Sequence, residues 1–247
     1  MSALAQAKAA LWPPPGDRHG PLVPLLVTLT LVTGVVDATS YLMLGHVFVA
    51  NMTGNVVFLG FALAGAGGLS ALASLIALAA FIAGAFGGGW LGAREAVHRG
   101  RVLRSANIAQ ASLMALSLLI ALLCTSPPDR GVRYGLVASL ALAMGVQNAA
   151  AQRLSVPDLT TTVLTKTLTG LASEGGGRAE AGPSLIRRSV SIGAMLAGAV
   201  VGGLLVLDVS IAASIAVALG LVLSVGLSAH FVSRAHPDAT WTRSSQA

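Results

Sequence analysis

The chain has 247 residues, 55% of them hydrophobic and only 10% charged, and a mean hydropathy of +0.80. That balance excludes a soluble globular domain and leaves room for one membrane bundle of about six to eight helices. The net charge of +6 does not point to nucleic acid, because the basic residues sit in short loops without aromatic neighbours and read better as a topology signal.

Residues 1–21 carry Lys8, Pro13–Pro15 and Arg18, which is not a signal-peptide plan, and they read as a disordered cytoplasmic tail. Apolar stretches then follow at 22–45, 47–68, 70–93, 105–125, 133–151, 156–174, 184–207 and 209–232. Each is about long enough to cross roughly 30 Å of hydrocarbon. Residues 233–247 form a second cytoplasmic tail. The stretches at 47–68 and 156–174 differ from the other six because polar, Thr-rich segments interrupt them. If all eight span, the cluster Arg94, Arg99, Arg101 and Arg104 faces outward, against the positive-inside rule. If those two stretches enter and leave on one side, the inner side holds thirteen Lys and Arg and the outer side only Arg130 and Arg133. Six spans plus two re-entrant or broken segments is therefore the expected topology, with seven or eight spans as the alternative.

The chain also repeats itself. Gly34-Val-Val-Asp37-Ala38 returns 111 positions later as Gly145-Val-Gln147-Asn148-Ala149. Asn51-Met-Thr53-Gly54-Asn55 is answered by the run from Thr160 to Thr167, which includes Thr161, Thr165 and Lys166. Gly84 and Gly88 match Gly198 and Gly202, each 114 positions on. Three anchors with slowly drifting offsets indicate a duplication, with repeats at 22–125 and 132–232. Three spans per copy invert the second copy relative to the first. Duplicated membrane folds of that kind place their site where the copies meet.

Asp37 is the one acidic residue well inside a strong apolar span, so it should face the bundle interior and have a partner. It reads as a proton, cation or substrate site, or as a structural carboxylate pinning helices together. Lys166, where the first copy has Gly54, is its natural partner, or else a lysine snorkelling to the cytoplasmic interface. Asn51, Thr53, Gly54 and Asn55 would bind solute, cap a helix end, or pack helices. Gln147 and Asn148 would complete a polar pocket, with Thr161 and Thr165 lining it. Gly84, Gly88, Gly198 and Gly202 mark close helix contacts, either within one chain or between copies in a homo-oligomer. His46 follows the first span and reads as an interfacial residue or a gate.

No HExxH, Walker loop, GxSxG or cysteine pair is present, and Cys124 stands alone. An enzyme is not expected, nor a cofactor, a metal or a nucleic-acid partner.

The run Thr33-Gly34-Val-Val-Asp37-Ala38-Thr-Ser-Tyr41, with Phe48-Val-Ala-Asn51-Met-Thr53-Gly54-Asn55, resembles the YoaK-like family of bacterial inner-membrane proteins. So does Met144-Gly145-Val-Gln147-Asn148-Ala149 with Val156-Pro157-Asp158-Leu159-Thr160-Thr161. The resemblance covers about residues 22–232 and implies a multi-pass protein of the bacterial inner membrane, in a domain of unknown function with a transport role. Lys166 departs from the smaller residue, often Gly, that the resemblance implies at that position. The function to expect is a permease for a small solute or ion, proton-linked through Asp37. The alternatives are a passive channel, or a scaffold with no transport.

Overall fold

The computed structural model describes residues 9, 11–13, 17–95, 98–124, 128–157, 183–235 and 240–242. Among them the fold is all-α, as a bilayer demands of a spanning chain that must bond its backbone internally. The helices are α1 (Leu22–Met43), α2 (Met52–Leu63), α3 (Ala71–Arg94), α4 (Arg99–Leu123), α5 (Arg130–Leu154), α6 (Pro183–Leu204) and α7 (Ile211–Ala235). A π turn, Leu205–Val209, prolongs α6 and closes with the Ser210 amide on the Leu205 carbonyl at 2.8 Å. All except α2 are long and apolar enough to cross a membrane. The 12 residues of α2 reach about 18 Å at 1.5 Å per residue, well short of the hydrocarbon thickness. The stretch at 47–68 is thus a loop, a short helix and a turn.

The two ends of the bundle are fixed by contacts. At one end Leu44 and Gly45 after α1, Ser70 and Ala73 at the start of α3, and Arg133 and Tyr134 in α5 line a common cleft. There too Ala121 of α4 and Cys124 just after it meet Ile211 of α7 around a cavity of about 60 Å³. At the other end the Arg99 guanidinium donates to the carbonyls of Arg18, before α1, and Leu154, the last residue of α5. Gly100 lies against Ser233 of α7 and against Trp241 in the short 3-10 turn Thr240–Thr242. Consecutive spans therefore alternate in direction, α1 and α5 run antiparallel, and α2 begins and ends on one side.

Helices α1 and α5 form the centre. Two thirds (67%) of each is buried, against 22–33% of the other spans. Leu26, Leu29 and Val32 of α1 and Leu140 and Met144 of α5 are closed off from the surface. Phe86, Leu123 and Leu196 point outward and meet lipid. Around α1 pack α6 and α7, around α5 pack α3 and α4, and α4 meets α7 between the two groups.

Glycine sets how closely these helices approach. A Cβ on Gly84 would overlap the Leu142 carbonyl, and one on Gly88 would meet Val146. A Cβ on Gly198 would overlap the Leu31 carbonyl, and one on Gly202 would meet Val35. Conversely, Gly145 sits on Phe81 and Ala85, while Gly34 sits on Met195 and Ala199. Leu142 and Val146 follow Leu31 and Val35 by 111 positions, and Met195 and Ala199 follow Phe81 and Ala85 by 114. The α3–α5 interface is thus repeated, residue for residue, as the α6–α1 interface. Of the two uses open to the glycine stripes, the described contacts fill the one within the chain. Close backbone approach of this kind gives van der Waals contact and weak Cα–H···O bonds in lipid, where the hydrophobic effect offers nothing between helices.

Candidate functional site

Asp37 lies in the last third of α1, and its side chain is 4% exposed. Its Oδ1 accepts two backbone bonds, from the amides of Val49 (2.9 Å) and Ala50 (2.8 Å). These amides belong to the irregular segment that brings the chain back from α1 into α2. Nothing regular can satisfy them, and a carboxylate taking two N–H donors is a strong acceptor in a medium of low dielectric. Oδ2 is buried with no hydrogen-bond partner among the described residues. The segment's free donors thus face the protein's own anion, where an open helix N-terminus would attract one from outside.

Asn55 holds the same loop from the other side. It is the one buried residue of α2. Its Oδ1 accepts from the Phe48 amide (2.9 Å) and its Nδ2 donates to the Phe48 carbonyl (2.6 Å) and the Met52 sulfur (3.6 Å). The amide side chain stands in for a strand partner, taking both backbone groups of Phe48. Gly54 is required beside it, because a Cβ would come within 2.7 Å of the Phe48 ring. Phe48 stacks on Tyr41 with centroids 5.1 Å apart, and Phe58 lies 5.7 Å from Phe48. His46 adopts φ 55° and meets Tyr41 edge-on at 5.3 Å, closing the turn that Gly45 opens at φ 103°. Asn51 occupies the N-cap of α2 without a side-chain capping bond, and Thr53 is exposed. The motif is therefore split: Asp37, Gly54 and Asn55 build the loop, Asn51 contributes its backbone amide near the Asp37 carboxyl but no side-chain cap, and Thr53 faces outward.

A second polar group crosses the centre. Gln147 donates from Nε2 to Thr33 Oγ1 (3.0 Å) and the Leu29 carbonyl (3.3 Å), and its Oε1 accepts from Gln110 Nε2 (2.6 Å). Gln110 and Gln147 are each 1% exposed and Thr33 is fully buried. One chain of side-chain bonds thereby ties α1, α5 and α4 together deep in the bundle. Hydroxyl pairs add to it, Thr39 with Ser214 (2.6 Å) between α1 and α7, and Ser117 with Ser139 (2.7 Å) between α4 and α5.

Gln147 and Asn148 stand at a different depth from Asp37. Gln147 is level with Leu29 and Thr33, so in the antiparallel α5 its neighbour Asn148 stands near the level of Thr30. That is seven residues, or about 10 Å of helix, from Asp37. Asn148 donates to the Met144 carbonyl at 2.9 Å within its own helix. Thr161, Thr165 and Lys166 lie outside the described residues, and with them the pairing of Lys166 with Asp37. Thr33 and Gln110 were not singled out by sequence. A threonine in an apolar helix is ordinary, and Gln110 has no repeated motif around it. The signal was their partner, since a buried Gln147 needs both a donor and an acceptor.

No group of three or more His, Cys, Asp or Glu side chains that could hold a metal occurs among the described residues. What the geometry offers is a buried carboxyl with one free oxygen beside an irregular backbone segment, and a polar bridge across the two central helices.

Comparison with known proteins agrees with this architecture. The chain is 34% identical over 155 residues to the UPF0700 transmembrane protein YoaK of Bacillus subtilis (strain 168), a match covering 62% of this chain and 67% of that protein. No solved structure matches it. The profile described as Protein of unknown function (DUF1275) matches residues 25–228, and the chain belongs to that family of multi-pass membrane proteins.

Proposed function

We propose that the protein is a small-solute transporter built from two inverted repeats that exchange their first helices. The observation that carries this reading is the reciprocal packing of glycines. Helix α1 of the first copy lies on α6 and α7 of the second, while α5 of the second lies on α3 and α4 of the first. Antiparallel α1 and α5 then relate the copies by a two-fold axis in the membrane plane, the symmetry on which alternating access rests. Movement of the α3–α4–α5 group against the α6–α7–α1 group would open one side or the other. The Gln110–Gln147–Thr33 bridge lies on the boundary between them. Asp37 is the proton site, with Oδ2 free to take a proton while Oδ1 keeps the loop folded. Nine of the eleven described Lys and Arg side chains lie at the Arg99 end, which supports a cytoplasmic location of that end in the bacterial inner membrane.

The test is uptake by proteoliposomes from a panel of small metabolites under an imposed pH gradient, with Asp37→Asn alongside. Gradient-driven uptake lost in Asp37→Asn, with an unchanged melting temperature, is the expected result. Undiminished coupled uptake would remove Asp37 from the mechanism. A scaffold with no transport is the second reading, favoured by Asn55, whose amide is bonded wholly within the loop. Failure of every solute in the panel would select it.

A further inference from the structure

We infer that the end of the bundle opposite Arg99 carries a binding site for an oxyanion, a phosphate or carboxylate group, held by Arg133 and Arg130. The cleft there has a volume of about 250 Å³ and is lined by Gly45, Ser70, Ala73, Arg130, Arg133 and Tyr134, among others. This is below the roughly 300–1,000 Å³ of pockets for drug-sized ligands, and suits a small anion or the head of a larger one. The inference does not depend on transport.

Three observations meet in this cleft. First, Arg133 is half-buried, and its Nε is closed off from solvent with no hydrogen-bond partner among the described residues. A guanidinium is a fork of five donors, and an oxyanion matches that fork geometry directly. The acidic neighbour Asp129 turns its Oδ1 to the Val132 amide at 2.9 Å, capping α5. Second, Arg130 and Arg133 are the only two of the eleven described Lys and Arg residues at this end. On the orientation proposed above, this is the side where Lys and Arg are the rarer residues. Third, the wall is shaped for the arginine. Gly45 is required by its φ of 103°, and the Arg133 Cδ stands at ordinary contact distance, 3.6 Å, from where a Cβ would be, so the stem of Arg133 packs along this turn. The first turns of α3 and α5 both line this space, with the α5 end capped by Asp129 and the α3 end by the neutral Ser70 hydroxyl.

The anion could come from free solute or from a lipid headgroup, and the two can be told apart. The full-length protein, delipidated in a maltoside detergent at constant ionic strength, would be titrated with inorganic phosphate and separately with short-chain phosphatidylglycerol, reading the melting temperature. Saturable stabilisation by phosphate, weakened at least tenfold in Arg133→Gln and Arg130→Gln but not in Arg234→Gln at the far end, is the expected result. A response to phosphatidylglycerol alone, with the same dependence on both arginines, supports the site and names a lipid headgroup as its source. Arg130 is exposed, so its variant keeps the test open should Arg133→Gln fail to fold. Binding of neither probe, or equal binding by wild type and Arg130→Gln, would overturn the inference.

Discussion

At the scale of single residues, two buried charges carry different work. Asp37 accepts two loop amides through one oxygen, so Asp37→Asn keeps an acceptor in the same place and Asp37→Leu keeps none. Two orphaned amides cost about 2–6 kcal/mol together. Urea or thermal unfolding should therefore show Asp37→Leu strongly destabilised and Asp37→Asn within about 1 kcal/mol of the parent. Equal loss in both would mean that the charge, and not the acceptor, holds the loop. Arg99 is 6% exposed and joins the approach to α1, the start of α4 and the end of α5 through two carbonyls. Only a planar fork reaches both at once, so lysine is no substitute. Arg99→Lys should lose about 1.5–3 kcal/mol, since one charged hydrogen bond is given up. Unchanged stability would show that water replaces the missing donor.

At the scale of helices, the run Gly87-Gly88-Gly89 separates packing from composition within three residues. A Cβ on Gly88 would stand 2.9 Å from Val146, while nothing lies within 4 Å of a Cβ on Gly87 or Gly89. Gly88→Ala should cost about 1–3 kcal/mol by forcing α3 off α5. Gly87→Ala and Gly89→Ala should stay within about 1 kcal/mol of the parent, on the stabilising side through helix propensity. Thermal melts of the three variants check this, and a uniform response would mean that the interface is looser than the glycine contacts imply. The contrast also marks how far the helices could be read in advance. The repeat offsets located Gly84, Gly88, Gly198 and Gly202 because a pattern written twice survives in one sequence. Hydropathy located the six described spans for a similar reason, since lipid demands about twenty apolar residues each time. Most of the stretch at 156–174 lies outside the described residues. The bonds of Asn55 to Phe48 and of Gln147 to Gln110 were not legible. They depend on which face of a helix turns inward, and an all-round apolar helix hides that. The depths of Asp37 and Asn148 were hidden in the same way: equal repeat positions in antiparallel helices lie at different depths.

At the scale of the whole molecule, the arrangement of charge and the path of α3 make one connected claim. Gly67 lies in the turn between α2 and α3, on the side of the Arg133 cleft, and His98 precedes α4 at the arginine-rich end. If α2 begins and ends on one side, α3 is the only crossing between those two positions. Cys124 is the chain's one native cysteine and is partly exposed, so a Cys124→Ser background is needed before new cysteines are placed. In intact bacterial cells, a membrane-impermeant maleimide should label Gly67→Cys and leave His98→Cys untouched until the membrane is opened. Labelling of both from outside would break the α3 crossing and with it the proposed inverted relation of the repeats. The reverse pattern would keep the fold but turn it over, and would place nine arginines on the outer face. That outcome would be hard to reconcile with the cost of translocating positive charge, since each Lys or Arg held inside adds to the bias that sets orientation. On the proposed orientation, Arg130 and Arg133 are the exceptions among the described residues, and the inferred anion site gives them a use.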